Sequence, residues 1–282
     1  MIISVASGKG GTGKTTIATN LAQTLEGIQF IDCDVEEPNA HLFLKPHIEK
    51  KLPVTIPIPR IDETKCTHCG RCAEACEFNA LACFPQTVLV FDELCHGCGA
   101  CSYICPEEAI GEETKEIGVI ELGKRNGMEF IHGLLNVGEP MATPIIRMEK
   151  SFIKNERTVI LDAPPGTSCP VIETIKGSDF CLLVTEPTPF GLNDLMLAVE
   201  LLKQLAIPMG VVINRADVGN KDAHEYCRRE KIPILLEIPM DRTIAHLYSE
   251  GILMVEKLPE YRDTFSGLFA SIKEIAEGNG SA

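Results

Sequence analysis

The chain has 282 residues, and 40 Asp and Glu against 26 Lys and Arg leave a formal charge of −14. That acidity argues against nucleic acid as a main partner, because phosphate backbones are held by clustered cations. Thirteen cysteines, with no apolar leader and no run long enough to cross a bilayer, argue against a disulfide scaffold and a membrane span and lead us to expect a reducing, cytoplasmic setting.

In chain order, Met1 to Ser7 is a short β-rich apolar run, Gly8-Lys-Gly-Gly-Thr-Gly-Lys-Thr-Thr16 is a glycine loop, and Ile17 to Leu25 is an amphipathic stretch. Strand, glycine loop and helix together form the context of a phosphate-binding P-loop. Gly8, Gly10, Gly11 and Gly13 let the backbone curl until its N–H groups face inward, with Thr12 and Thr16 in the same cradle and the helix N-terminus behind. Lys14 is then placed for the β and γ phosphates, and the Thr15 hydroxyl for magnesium. Gln29 to Asn39 follows as a buried strand ending in Asp32 and Asp34, at the edge where a doubly wound sheet binds ligands.

Next comes a proline-rich stretch, Leu52 to Pro59, and then two cysteine runs, Cys66, Cys69, Cys72, Cys76 and Cys95, Cys98, Cys101, Cys105. Both read C-x2-C-x2-C-x3-C. Gly70 and Gly99, Ala80 and Ala109, and Leu81 and Ile110 keep the same offset, so the segment is an internal repeat. Soft thiolates at this spacing suit iron and sulfide. Zinc, which needs only four ligands, is the competitor. Gly70, Gly97 and Gly99 allow backbone amides to approach the sulfurs. A charge run from Glu112 to Glu116 closes the segment. Ile117 to Gly133 then alternates around Asn126-Gly127, a hairpin signal. A second apolar run, Thr158 to Leu161, ends in Asp162 followed by Pro-Pro-Gly166. Leu182 to Asp194 and Val211 to Arg215 carry further strand ends. The C-terminal Phe265 to Ile275 has helical apolar spacing but no basic face, so packing on the domain is expected rather than membrane binding. Cys33, Cys83, Cys169, Cys181 and Cys227 read as packing residues, and His68 and His96 as neighbours of the cysteines rather than ligands.

The string around Lys9 and the motifs that follow it resemble the deviant P-loop ATPases of the MinD, ParA, Mrp and nitrogenase-iron-protein class. The cysteine repeat resembles bacterial two-cluster ferredoxins. The whole chain is therefore similar to MinD/Mrp-type ATPases with an inserted ferredoxin domain. The resemblance implies an α/β P-loop NTPase with a mostly parallel, doubly wound sheet, formed by residues 1–56 and 117–282. A two-cluster α+β ferredoxin insert would occupy residues 57–116. It implies ATP hydrolysis with magnesium by a homodimer in which Lys9 crosses to the partner's phosphates. Asp34 would orient or deprotonate water and Asp32 would lie nearer magnesium, two roles that sequence alone could exchange. Asp162 would hold magnesium through water, Gly166 would offer an amide to the γ-phosphate, Asn214 would read adenine, and Asp194 would meet the partner's signature lysine.

In the ferredoxins that the repeat resembles, the fourth cysteine serves the other cluster. By that likeness one 4Fe-4S cluster takes Cys66, Cys69, Cys72 and Cys105, and the other Cys95, Cys98, Cys101 and Cys76. The chain departs from its relatives in three places. Glu77 stands where the ferredoxin pattern has proline. No C-x2-C pair occurs in the C-terminal half, as it does in Mrp carriers. Cys169 follows the Asp162 motif like a nitrogenase-reductase ligand but lacks that protein's second cysteine. The functions implied are ATP-gated electron transfer to a redox or metalloprotein partner, assembly or insertion of metal clusters, or a non-redox positioning switch with a ferredoxin docking module.

Overall fold

The structure, a computed structural model, describes residues 1–278. The first βαβ unit is β1 (Ile2–Ala6), α1 (Lys14–Gln23) and β2 (Gln29–Asp32), followed by the short α2 (Ala40–Leu44). A long strand β3 (His47–Ile61) leads into α3 (Arg71–Glu74), β4 (Leu81–Phe84), β5 (Thr87–Val90) and α4 (Ala100–Ile104). Then β6 (Ile110–Arg125) returns beside β3, and β7 (Met128–Leu135) follows. The rest alternates: α5 (Thr143–Lys150), β8 (Val159–Asp162), α6 (Cys169–Ile175), β9 (Phe180–Thr185), α7 (Pro189–Gln204), β10 (Met209–Asn214), α8 (Asp222–Glu230), β11 (Ile234–Ile238), α9 (Arg242–Ser249), α10 (Met254–Lys257) and α11 (Pro259–Gly278).

Nine strands form one sheet in the order β11-β10-β9-β1-β8-β2-β7-β6-β3. From β11 to β7 every pairing is parallel, and β6 and β3 add an antiparallel edge. Helices cover both faces of the parallel part, which is why its strands read as unbroken apolar runs. Along β9, Leu182 and Val184 face the cluster built on α1 and α11, while Cys181 and Leu183 face the one built on α7. Phe265, Leu268 and Ile272 of α11 are buried in the first of these clusters, so the C-terminal helix packs on the domain as its spacing predicts. Among the described residues, no helix is long and apolar enough to cross a membrane.

The expected hairpin forms between β6 and β7. Asn126 and Gly127 have φ of 47° and 84°, the pair of positive values that a tight two-residue turn requires. Pro53, Pro57 and Pro59 lie within β3, where a missing N–H is tolerated because β3 is the sheet edge. The β3–β6 ribbon pairs from His47↔Lys124 to Ile61↔Ile110, with register shifts between Ile48 and Lys50 and between Val54 and Thr55, and continues through residues 57 and 116.

At the far end of the ribbon the sequence repeat becomes a structural one. Gly70 and Gly99 precede α3 and α4 with φ of 79° and 71°. The two halves exchange equivalent hydrogen bonds, Asp62 N–H to Ala109 O (2.7 Å) and Phe91 N–H to Ala80 O (2.8 Å).

Candidate nucleotide site and cysteine pockets

The carboxyl ends of β1, β8 and β2 meet at the first glycine loop, where a doubly wound sheet presents ligands to helix N-termini. Gly11 and Gly13 take φ of 79° and 91° and turn the chain into α1. The Lys14 ammonium is buried and lies 2.9 Å from Asp162 Oδ1. Burial works against its charge, but Asp162, with Asp32 and Asp34 beyond it, leaves the pKa raised. The second oxygen of Asp162 is buried without a hydrogen-bond partner among the described residues, as is the Thr12 hydroxyl. Asp32 sits opposite Asp162 in the β2–β8 register. Its Oδ2 accepts from Asn39 N–H (3.1 Å) and Ala40 N–H (3.0 Å), and its Oδ1 from Asp34 N–H (3.2 Å). Burial, and then the neighbouring Asp162, push the Asp32 carboxyl up to about 8. Asp34 is pushed up to about 6, chiefly by burial.

A cleft of about 440 Å³ opens over the loop, lined by Lys9, Gly10, Gly11, Gly13, Lys14, Thr15, Thr16, Asp34 and Asn214 among others. The Asn214 amide donates to Thr12 O (2.9 Å), so it braces the loop from β10. Gly166 donates its N–H to Ser7 O (3.0 Å) and holds the Pro-Pro-Gly turn against the loop. Asp194 backs Gly8 so closely that a β-carbon there would overlap the Asp194 carbonyl oxygen. Lys9, one third exposed, lies 3.8 Å from Glu186 of its own chain, which also binds Arg215 at 2.6 Å.

The cleft has a wall that the sequence reading missed, made by Pro239, Met240, Asp241, Ile244 and Tyr248. Its available signal was positional. Ile234 to Ile238 is one more strand ending at the same sheet edge, and Asp241 caps α9 by accepting from Thr243 N–H (2.6 Å).

The eight repeat cysteines line two separate cavities. Cys66, Cys69, Cys72 and Cys105 surround one, with Gly70 and Pro106. Cys76, Cys95, Cys98 and Cys101 surround the other, with Gly97 and Gly99. Backbone N–H groups point at sulfur in both halves: Ala80 to Cys76 and Ala109 to Cys105 at 3.3 Å, and Gly97 to Cys95 at 3.4 Å. Burial pushes the Cys72, Cys95 and Cys101 thiols up from their ordinary values. Four convergent sulfurs with amide donors in each cavity fit an iron–sulfur group by donor chemistry.

His68 Nε2 lies 3.0 Å from Glu63 Oε2 at the rim of the first cavity, where Glu63, Cys66 and His68 bring ligand atoms within 4.8 Å of one another. His96 stacks on Phe78 at 3.6 Å. Cys33, Cys181 and Cys227 are buried, and Cys83 is half-buried beside the first cavity with its thiol on His68 O (3.5 Å). Cys169 departs from the packing expectation and is exposed. It opens α6 two residues beyond the Pro-Pro-Gly turn, exposed beside the exposed Ser168, while Val171 in the same turn of helix is buried.

A glycine loop between a central parallel strand and a buried helix, with carboxylates on the two neighbouring strands, defines a P-loop nucleotide-binding α/β protein. The chain belongs to the CobQ/CobB/MinD/ParA nucleotide-binding domain family, which matches residues 3–254. An uncharacterised protein of Methanocaldococcus jannaschii is 33% identical over 98% of this chain and 96% of its own length. An iron–sulfur cluster carrier protein of Rickettsia bellii is 26% identical over 91% of this chain and 67% of its own. The fold is shared with the septum site-determining protein MinD of Pyrococcus horikoshii, solved with Mg-ADP, at a TM-score of 0.62 and 19% identity over 98% of this chain and 96% of that one.

Proposed function

We propose that the protein is an ATP-hydrolysing iron–sulfur protein in which closure of a homodimer around ATP and magnesium gates one-electron transfer to a redox or metalloprotein partner in the cytoplasm. The observation that carries this reading is the crossing of the cysteine runs. Each cavity draws three cysteines from one repeat and the fourth from the other, an arrangement suited to two cubes and not to paired zinc knuckles. Bound in these cavities, 4Fe-4S clusters would supply one-electron chemistry between a reduced donor protein and an acceptor.

The chain's own residues divide the remaining work. Lys14 exchanges Asp162 for the β and γ phosphates, and Lys9 leaves Glu186 for the nucleotide of the facing subunit. Thr15, Asp32 and Asp162 offer hard oxygens suited to magnesium, and the unpartnered Asp162 oxygen fits that role. Asp34 lines the cleft with its carboxyl pushed up to about 6, close enough to neutrality to accept a proton from attacking water. Thr12, Thr16 and the loop glycines cradle phosphate, Gly166 turns its N–H from Ser7 O to the γ-phosphate, and Asn214 steadies the loop beside adenine.

The name of the Rickettsia bellii relative favours a second reading, in which the clusters are cargo for an apo acceptor. An anaerobic spectroelectrochemical titration without nucleotide, with ADP and with a non-hydrolysable ATP analogue separates the two. A nucleotide-dependent shift in potential or spectrum supports gating. Iron and sulfide passing to an apo-ferredoxin, with no such shift, replaces it with the carrier reading.

A further inference from the structure

One row of polar residues crosses four strands in register. Asp32 of β2 stands opposite His132 of β7, His132 opposite Glu121 of β6, and Glu121 opposite Lys51 of β3. Opposed residues share a face of the sheet. Two positions earlier on β2 and β7, the opposed pair is apolar, with Phe30 and Phe130 stacked at 5.9 Å. Asp32 is fully buried, His132 is 4% exposed and Glu121 is 8% exposed. Lys51 alone of the four is exposed.

These residues form a chain of contacts as well as a row. His132 Nε2 lies 2.9 Å from Glu121 Oε2, and the other Glu121 oxygen holds the Lys51 ammonium. His41 of α2 packs edge-on against the His132 ring at 5.2 Å. The helix α2 hangs in turn on Asp32, whose Oδ2 accepts from Asn39 and Ala40 N–H. An apolar row here would fold at least as well, because burying charged and imidazole groups is rarely a net stabiliser. The row therefore calls for a role beyond packing.

We infer that His132 and Glu121 are positioning residues that transmit the state of Asp32 in the nucleotide site to the β3–β6 ribbon, and so to the cysteine segment that the ribbon carries. The inference rests on the nucleotide half of the proposed function and not on the clusters. When a cation or nucleotide draws on the Asp32 carboxylate, its hold on Asn39 and Ala40 N–H changes and α2 moves. His41 then shifts on His132, and Glu121 changes its grip on Lys51. Register irregularities lie on either side of Lys51, at Ile48/Lys50 and Val54/Thr55. Such bulges are where a strand bends.

Hydrogen–deuterium exchange on the full-length protein, kept anaerobic, with and without magnesium and a non-hydrolysable ATP analogue, tests this. In the wild type, nucleotide should change exchange at the P-loop and also in residues 47–61 and 110–125. Lys51→Met, an exposed change, should keep nucleotide affinity and P-loop protection while shrinking the ribbon response by about twofold to thirtyfold, the range of long-distance coupling energies. His132→Leu should do the same, and His132→Gln, which retains a donor for Glu121, should recover part of it. A wild-type ribbon that ignores nucleotide, or a ribbon response that survives in both Lys51→Met and His132→Leu, overturns the inference while leaving ATP binding in place. Loss of cluster function with the ribbon response intact would remove the electron-transfer reading and leave this one standing. No protection even at the P-loop would end both.

Discussion

Two loop glycines provide a matched pair of perturbations. Gly11 and Gly13 have φ of 79° and 91°, so alanine at either forces a left-handed backbone, at about 1–2 kcal/mol. A β-carbon on Gly11 meets nothing within 4 Å, whereas one on Gly13 would stand 2.5 Å from Asn214 Nδ2. Asn214 must then leave Thr12 O, which costs about 1 kcal/mol more for the broken hydrogen bond. Gly11→Ala should therefore lose about 1–2 kcal/mol and Gly13→Ala about 2–3 kcal/mol. At roughly 2–4 °C per kcal/mol in a chain of this size class, the second variant should melt a few degrees below the first. Calorimetry without nucleotide or magnesium isolates this effect from phosphate binding. In the double variant Gly13→Ala/Asn214→Ala the two losses should fall short of additivity by about 1 kcal/mol. Equal melting of the two glycine variants, or strict additivity in the cycle, would show that Asn214 does not brace the loop.

Other perturbations separate the remaining roles. Lys14→Ala should abolish nucleotide binding, whereas Lys9→Ala should bind normally and lose dimer closure and turnover; equal loss of binding, read by isothermal titration, refutes the division. Cys105→Ser should remove the iron signal of the cavity it shares with Cys66, and Cys76→Ser that of the cavity it shares with Cys95. Each should halve the bound iron, and loss of the same signal from both variants would refute the crossed assignment. For pH, the Asp32 carboxyl is raised from 3.8 to about 8 in the folded protein. The metal-free native state therefore holds a proton that the unfolded chain has released, and the stability this confers is full below pH 4 and lost as pH rises towards 8. Urea titrations without magnesium should show Asp32→Asn gaining on the wild type by about 1 kcal/mol per pH unit from pH 6 to 8, and a constant difference refutes it.

The nucleotide half of the molecule was legible because its signals are local. Glycines at positive φ, apolar runs ending in Asp32 and Asp162, and an Asn-Gly hairpin each specify a conformation within a few residues. What was not legible depends on strands brought together from far apart. Residues Pro239 to Tyr248 enter the cleft only because β11 joins the sheet beside β10, and no spacing in the sequence announces that edge. The proline stretch lies at the expected edge of the insert at residue 57, yet it runs through an extended edge strand, since an outer strand tolerates the missing donors. Cys169 was misjudged because a small residue after an apolar motif reads as core until the turn before it is seen to aim it outward. The polar row is invisible for the same reason, because Lys51, Glu121 and His132 become neighbours only through register.

The two cysteine cavities are not equivalent in depth. Ala80 and Cys95 belong to the same buried cluster as Ile31, Val54 and Ile145, so the cavity of Cys76, Cys95, Cys98 and Cys101 is continuous with the core beneath β2 and the ribbon. The cavity of Cys66, Cys69, Cys72 and Cys105 rests only on the small cluster of Leu81 and Val88, which Cys101 of the inner cavity also joins. A β-carbon at Gly97 would come within 3.0 Å of Pro57, and Arg60 of β3 grips Asp92 at 2.8 Å. The inner cavity is thus clamped along the ribbon at Pro57 and Pro59, while the outer one meets the ribbon at its far end, through Ile61 and Ile110. Movement of the ribbon near the sheet acts on the inner cavity most directly, because the packing that surrounds Cys95 is packing the core of the nucleotide sheet also uses. That shared core is the physical reason to expect one cavity to report on nucleotide more strongly than the other.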